Sequence, residues 1–99
     1  MIKNALFARL EAAPGKEKEV AAFLETGLGL ANREEGTPLW FALRLGSSTF
    51  GIFDAFYDEE GRQAHLNGPI ARALMAKAPE LLSEPPRIEA IDVIGAKLI

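Results

Sequence analysis

The first third of the chain changes from a two-residue to a helical hydrophobic period. Apolar and polar residues alternate over residues 2–12, which predicts a β-strand, and Pro14 and Gly15 end it because both residues interrupt regular structure. Apolar residues then recur every three or four positions over residues 16–33, which predicts a helix. Its apolar stripe consists of Val20, Phe23, Leu24, Gly27, Leu28 and Ala31. Gly27 and Gly29 weaken this helix, and they indicate either close packing on a sheet or a fraying end.

A hairpin of two strands is predicted in the middle of the chain. Residues 34–38 form a turn, residues 39–46 and 49–57 are rich in aromatic and branched apolar residues, and two serines connect them. Asp58 follows the second of these strands and is suited to cap a helix by accepting a backbone N–H. The middle of the sequence therefore predicts β-turn-β followed by a helix.

The last third is predicted to contain an interrupted helix and a final strand. The helix has an apolar stripe of Leu66, Ile70, Leu74 and Leu81, and Asn67-Gly68-Pro69 breaks it into two pieces because proline cannot donate to the preceding turn. Pro85 and Pro86 then lead into a strand over residues 87–98. The order β-α-β-β-α-β predicts an α+β, ferredoxin-like fold in one domain of residues 1–99, with two helices on one face of an antiparallel sheet.

The predicted strands are apolar on both faces, although two helices cover only one. On the third strand, for example, Phe50, Ile52 and Phe56 alternate with Phe53, Ala55 and Tyr57. An antiparallel sheet with one face in water normally alternates apolar and polar residues, and a large exposed apolar patch is unusual for a monomer. We therefore expect a homodimer in which the open sheet face of each copy packs on the other.

Composition excludes several classes of function. The 99 residues carry a net charge of −3, with no basic cluster for nucleic acid, no cysteine and a single histidine. No glycine-rich phosphate loop, nucleophile elbow or metal-ligand spacing is present, so no cofactor and no metal is expected. No apolar run has the length of a membrane span or a secretory signal, and a cytoplasmic location without membrane contact is expected.

Several short motifs resemble those of the antibiotic biosynthesis monooxygenase domains of the dimeric α+β barrel superfamily. The motifs are Pro14-Gly15, Glu35-Gly36-Thr37-Pro38-Leu39-Trp40, Phe53-Asp54-Ala55-Phe56, Asp58-Glu59 and Ala64-His65-Leu66, and they span nearly the whole chain in the family's order. The resemblance implies a dimeric barrel with a small cavity between sheet and helices in each subunit. That family includes cofactor-independent oxygenases of phenolic, anthrone or quinol substrates, haem-degrading enzymes and proteins without known activity. Ala8, His65 and Met75 replace the residues of the haem-degrading branch, so haem degradation is not expected.

The candidate site is centred on His65. By resemblance His65 occupies the position of a histidine in oxygenase-like members, and its ordinary pKa near 6.5 suits a base or an orienting group. The predicted substrate-binding residues are Trp40, Phe53, Phe56, Tyr57, Asp54 and Asn67. An inward Asp54 needs a partner, for which Arg44 or Arg9 is expected. The alternative interpretation is structural: His65 at the edge of a packed helix, and the aromatic residues in the core or the dimer interface.

Three functions remain open from the sequence. The first is a cofactor-independent monooxygenase acting on a small aromatic, quinol or polyketide-like substrate, with His65 as base or orienting group. The second is a non-catalytic dimeric protein that binds a small aromatic ligand in the same cavity. The third is a protein whose role is assembly alone, which a cavity too small for a ligand would favour.

Overall fold

The ferredoxin-like order predicted from the sequence is confirmed. The computed structural model describes all residues from 1 to 99. Its elements are β1 (Asn4–Glu11), α1 (Glu17–Ala31), β2 (Leu39–Arg44), β3 (Thr49–Phe56), α2 (Glu59–Leu66), α3 (Pro69–Leu81) and β4 (Arg87–Asp92). None of these helices has both the length and the apolar character needed to cross a membrane.

The four strands form one antiparallel sheet in the order β2-β3-β1-β4. In the register, Asp54 of β3 lies between Leu6 of β1 and Trp40 of β2. Because side chains directly opposite one another on paired strands share a face, these three side chains form one row across the sheet.

All three helices pack on the face that carries this row, which we call the helix face. The main core there joins strand residues such as Leu10 and Phe50 to Val20 of α1 and Leu74 of α3. α1 approaches β2 closely at Gly27, where a Cβ atom would lie 3.3 Å from the indole ring of Trp40. Of the two explanations for Gly27, close packing on the sheet is therefore correct, and the helix continues to Ala31 without fraying.

The predicted interruption of the second helix is confirmed. α2 begins at its N-cap Asp58, whose carboxylate accepts a hydrogen bond of 2.9 Å from the Gly61 N–H, and ends at Leu66. α3 begins at Pro69, where a missing N–H costs nothing because the first turn has no acceptor for it. The break between the two helices therefore lies at Asn67-Gly68, which begins two residues after His65.

The opposite side of the sheet, which we call the open face, carries no helix. Phe41 and Phe53 stack there with their ring centroids 6.4 Å apart, and 49% of Phe41 is exposed. A small cluster of Ile2, Ala5 and Ala55 is buried at one end of this face. The sheet therefore has the apolar second face expected from the sequence.

The final strand is shorter than predicted. β4 ends at Asp92, which pairs with Asn4 at the start of β1. Beyond this pair, the Val93 N–H donates one hydrogen bond to the Lys3 carbonyl, and the strand pairing stops there. Ile94, which the predicted strand included, lies beyond it and is fully exposed. β2 likewise ends at Arg44, because the turn to β3 starts two residues earlier than the pattern indicated, and β3 ends at Phe56, one residue before its predicted end.

Two glycines fix the loop between α1 and β2 against α2. A Cβ atom on Gly61 would lie 2.8 Å from the carbonyl oxygen of Gly36, closer than side chains normally approach a backbone oxygen. The contact therefore requires glycine, and it holds the loop that carries Glu34 beside the helix that carries His65.

We predict that Gly61→Ala destabilises the fold by about 1–3 kcal/mol, because the new methyl group overpacks against the Gly36 backbone. Gly29→Ala is the matched control: nothing lies within 4 Å of a Cβ at that exposed helical position. It should stabilise the protein by up to about 1 kcal/mol. Denaturant unfolding measures both changes, and equal stabilisation by the two substitutions would disprove the close-contact interpretation.

Candidate functional site

The site is a chain of three ionisable side chains on three different elements. His65 Nε2 lies 2.8 Å from Asp54 Oδ2 on β3, and His65 Nδ1 lies 2.6 Å from Glu34 Oε1 in the loop after α1. Thr37 also donates to Glu34 Oε1, over 2.9 Å. Asp54 is 2% exposed and His65 is 8% exposed, so the group is shielded from water.

Both ring nitrogens of His65 act as donors in this arrangement. A carboxylate oxygen only accepts hydrogen bonds, and each ring nitrogen is within hydrogen-bond distance of one. Burial alone would lower the pKa of His65, but the hydrogen bonds to Asp54 and Glu34 and their charges outweigh burial and raise the pKa above 6.5. With both nitrogens donating, the His65 ring has no free lone pair in this arrangement.

A small cavity lies beside this group, between the helix face of the sheet and the helices. It measures about 30 Å³, which is room for about one or two water molecules. Its lining is Leu6, Ala8, Ile52, Asp54, His65, Leu66, Ile70, Ala71, Leu74 and Ile88. Asp54 and His65 are thus the only ionisable side chains of an otherwise apolar wall. Oδ1 of Asp54 is buried and has no hydrogen-bond partner.

The structure brings only some of the predicted site residues together. Phe56 lies next to His65, with ring centroids 5.5 Å apart, and Asp54 contacts His65 Nε2 directly. Trp40 stands across the strand pair from Asp54 on the helix face. Of these three residues only Asp54 lines the cavity together with His65.

The other three predicted residues lie elsewhere. Phe53 faces the open side, because it is one residue away from Asp54 and side chains alternate along a strand. Tyr57 follows the end of β3 and is 51% exposed. Asn67 caps the end of α2, and its side-chain amide donates to the Gln63 carbonyl. None of them lines the cavity.

The prediction that Arg44 or Arg9 pairs with Asp54 was wrong. Arg9 lies on the open face, because it pairs with Gly51 of β3 and so has the opposite parity to Asp54. Arg44 shares the helix face but lies over the ring of Phe50, 4.7 Å from its centroid. The side chain that pairs with Asp54 is His65 and neither arginine.

Glu34 was not predicted from the sequence. It lies in a turn beside Glu35, which is exposed, and no spacing distinguishes the two carboxylates. The signal that identifies Glu34 is three-dimensional: the Gly36–Gly61 contact that brings its loop to α2.

We predict that His65 stabilises the fold most at mildly acidic pH. Because its pKa is raised in the folded protein, the contribution is complete below about pH 6.5, the ordinary value, and is lost as pH rises through the folded-state pKa. The melting temperature of the wild type should therefore exceed that of His65→Gln most near pH 6 and least at alkaline pH. An NMR titration of this single histidine checks the premise, and a midpoint below 6.5 would contradict it.

Comparison with known proteins gives a near relative and more distant proteins of the same fold. No family model matches the sequence, and no curated protein matches it. The crystal structure of NE2512, a protein of unknown function from Nitrosomonas europaea, is 63% identical. It aligns over 100% of this chain and 96% of its own, with a TM-score of 0.97.

More distant structures share the fold. Rv0793 from Mycobacterium tuberculosis aligns at 17% identity over 95% of this chain and 97% of its own, with a TM-score of 0.83. A second Nitrosomonas europaea protein, named provisionally as an antibiotic biosynthesis monooxygenase, aligns at 12% identity over 93% of this chain and 90% of its own, with a TM-score of 0.82. The resemblance found in the sequence motifs is thereby confirmed at the level of the fold. The chain belongs to the same family as NE2512, and its fold is that of the antibiotic biosynthesis monooxygenase domains.

Proposed function

We propose that this protein is a cofactor-independent monooxygenase whose substrate is a small aromatic, quinol or polyketide-like molecule bound in the cavity beside His65. The observation that carries the proposal is the buried, unpartnered Oδ1 of Asp54, a residue that lines an otherwise apolar cavity with His65. A buried carboxylate oxygen without a partner is costly, and such groups occur at sites that bind or transform a ligand. The shared fold with proteins named as monooxygenases is consistent with this chemistry.

In the proposed reaction Asp54 is the proton acceptor and His65 the orienting group. The bond to His65 Nε2 uses Oδ2 of Asp54 and leaves Oδ1 to accept the proton of a substrate hydroxyl or an acidic C–H. The resulting anion is electron-rich and reduces dioxygen itself. One oxygen atom enters the product, and the other leaves as water with the two hydrogens that the substrate loses. Of the two roles predicted for His65, the contacts of both its ring nitrogens with carboxylates support the orienting one.

The size of the cavity sets a condition on substrate entry. Ligand pockets usually measure about 300–1,000 Å³, far more than the 30 Å³ found here. Entry therefore requires movement of lining side chains on α2 and α3, including Leu66, Ile70 and Leu74. The joint at Asn67-Gly68 separates these two helices, so either one shifts without breaking a continuous helix.

The same small volume favours a role in assembly alone, in which the three ionisable groups hold the elements together and no ligand binds. The unpartnered Oδ1 of Asp54 also suits a second candidate, a dimeric protein that binds a small molecule and releases it unchanged. Oxygen consumption separates this second candidate from the oxygenase, and the absence of any bound ligand favours assembly alone.

We predict that quinols, anthrones or flavonoid-like phenols raise the melting temperature of the wild type and that at least one of them drives oxygen uptake. Asp54→Asn should lower this uptake by about 10²–10⁴-fold, the usual contribution of a general base. Asp92→Asn, which changes an exposed carboxylate at the end of β4, is the control and should retain the rate. Binding without oxygen uptake would favour the second candidate, and full activity of Asp54→Asn would refute the role of Asp54.

A homodimer formed through the open face is part of the same proposal. Phe41 is 49% exposed and stacks on Phe53, and Ile91 on the neighbouring part of the sheet is 36% exposed. A second copy of this face would bury these apolar side chains with two-fold symmetry.

We predict that Phe41→Glu converts the dimer into a monomer, because the substitution places a charge in the apolar interface. Leu28→Glu is the matched control, since Leu28 is 48% exposed but lies on α1, away from the open face. Sedimentation or light scattering gives the mass of each variant. A monomeric wild type, or a dimer of Phe41→Glu, would rule out this interface.

A further inference from the structure

Arg62 is a cationic side chain of α2 that lies on the backbone of the sheet. Its Nη1 atom donates to the carbonyl oxygens of Ala5 and Ile91, each over 3.3 Å. These two residues are directly opposite each other on β1 and β4, so one guanidinium contacts both strands at the same point. The side chain of Arg62 is only 11% exposed. Arg62 therefore attaches α2 to the sheet and does not extend into solvent.

The rest of the guanidinium is held by Glu59. Arg62 Nε donates to Glu59 Oε2 over 3.2 Å, and Arg62 Nη2 contacts Glu59 Oε1. Gln63 Nε2 donates to the same carboxylate over 2.8 Å. An ion pair with an exposed carboxylate contributes little free energy by itself, and the side chain of Glu59 is 51% exposed. Its effect is to orient the planar guanidinium, so that Nη1 stays directed at the two carbonyl groups.

His65 follows Arg62 by three residues and lies on the same face of α2. Its Nε2 lies 2.8 Å from Asp54 Oδ2 on β3. Because β3, β1 and β4 are neighbours in the sheet, the two side chains attach α2 to three consecutive strands. A single attachment would leave the helix free to tilt, whereas two attachments define both its distance and its angle to the sheet.

We infer that Arg62 is a positioning residue of the site, whose bonds to the backbone of β1 and β4 keep α2 where His65 Nε2 reaches Asp54 Oδ2. Hydrogen bonds weaken steeply when their angle departs from the optimum, so a small tilt of α2 is enough to loosen this contact. In the reaction proposed above, on which this part of the role rests, Arg62 acts only through His65. It keeps Oδ2 of Asp54 occupied, and Oδ1 remains the oxygen that accepts the substrate proton.

Loss of position and loss of charge have opposite effects on the pKa of His65. Removal of a nearby positive charge makes the imidazolium easier to form and raises the pKa of His65. The contacts with Asp54 and Glu34 are what raise that pKa above 6.5, so loosening them lowers it. The direction of the change therefore distinguishes a positioning residue from a charge that acts through space.

The test is an NMR titration of His65, the single histidine, in the wild type, Arg62→Met, Arg62→Lys and the control Arg72→Met. Arg62→Met keeps an unbranched side chain without charge or donor. It should lower the midpoint by about 0.5–1 pH unit, the effect of one weakened hydrogen bond. Arg62→Lys keeps the charge and a donor but loses the guanidinium fork, and it should lower the midpoint less. Arg72→Met removes an equal charge from an exposed position on α3 and should not lower the midpoint.

The outcomes separate this inference from the proposed function. An unchanged or raised midpoint in Arg62→Met would overturn the positioning role, even if oxygen uptake still depended on Asp54. A lowered midpoint without oxygen uptake from any phenol, anthrone or quinol would support the positioning role and refute the oxygenase. Should Arg62→Met not fold, Arg62→Lys decides. Because its charge is retained, a lowered midpoint is due to a change in position, and an unchanged one overturns the inference.

Discussion

The pairing of His65 with two buried carboxylates is the interaction on which the site depends. It joins a strand, a helix and a loop that are distant in the sequence, through Asp54, His65 and Glu34. Burying these charges costs several kcal/mol for each ion unless partners compensate it, and removal of one partner leaves an uncompensated charge. The elements that carry the three residues are therefore held in one arrangement, which the Gly36–Gly61 contact makes possible.

Much of the fold was predictable because it follows from local periodicity. The alternation in the strands, the helical stripes and the break before Pro69 each depend on neighbours within a few residues. The structure reproduces them except at Leu28, which the predicted stripe of α1 included and which is 48% exposed. The end of β4 was not predictable in this way. It is determined by where β1 begins, through the pairing of Asn4 with Asp92, and no local pattern around residues 93–98 carries that information.

The site was only partly predictable for the same reason. The sequence indicated that Asp54 points inward and needs a partner, which is correct, but an arginine was the expected cation. Arg9 lies on the opposite face of the sheet from Asp54, and Arg44 lies over the ring of Phe50. The actual partner, His65, lies on a helix, and its second carboxylate comes from a charged turn. Both depend on how the helices sit on the sheet, which a single sequence does not specify.

The two faces of the sheet divide the aromatic residues between two different tasks. Phe56 and Trp40 stand with Asp54 on the helix face, while Phe41 and Phe53 stack on the open face. This division follows from the two-residue period of a strand. One continuous apolar run of sequence therefore supplies side chains both to the helix face and to the exposed open face.

The state of His65 determines which group is able to accept a proton. Each carboxylate oxygen that binds the ring takes one of its nitrogens out of use, so a histidine that seemed suited to act as a base has no lone pair left. The bond to Nε2 uses one oxygen of Asp54 and leaves the other without a partner, and Asp54 is one of the residues that border the apolar cavity. In the reaction proposed for this cavity, the proton acceptor is therefore Asp54 and not His65.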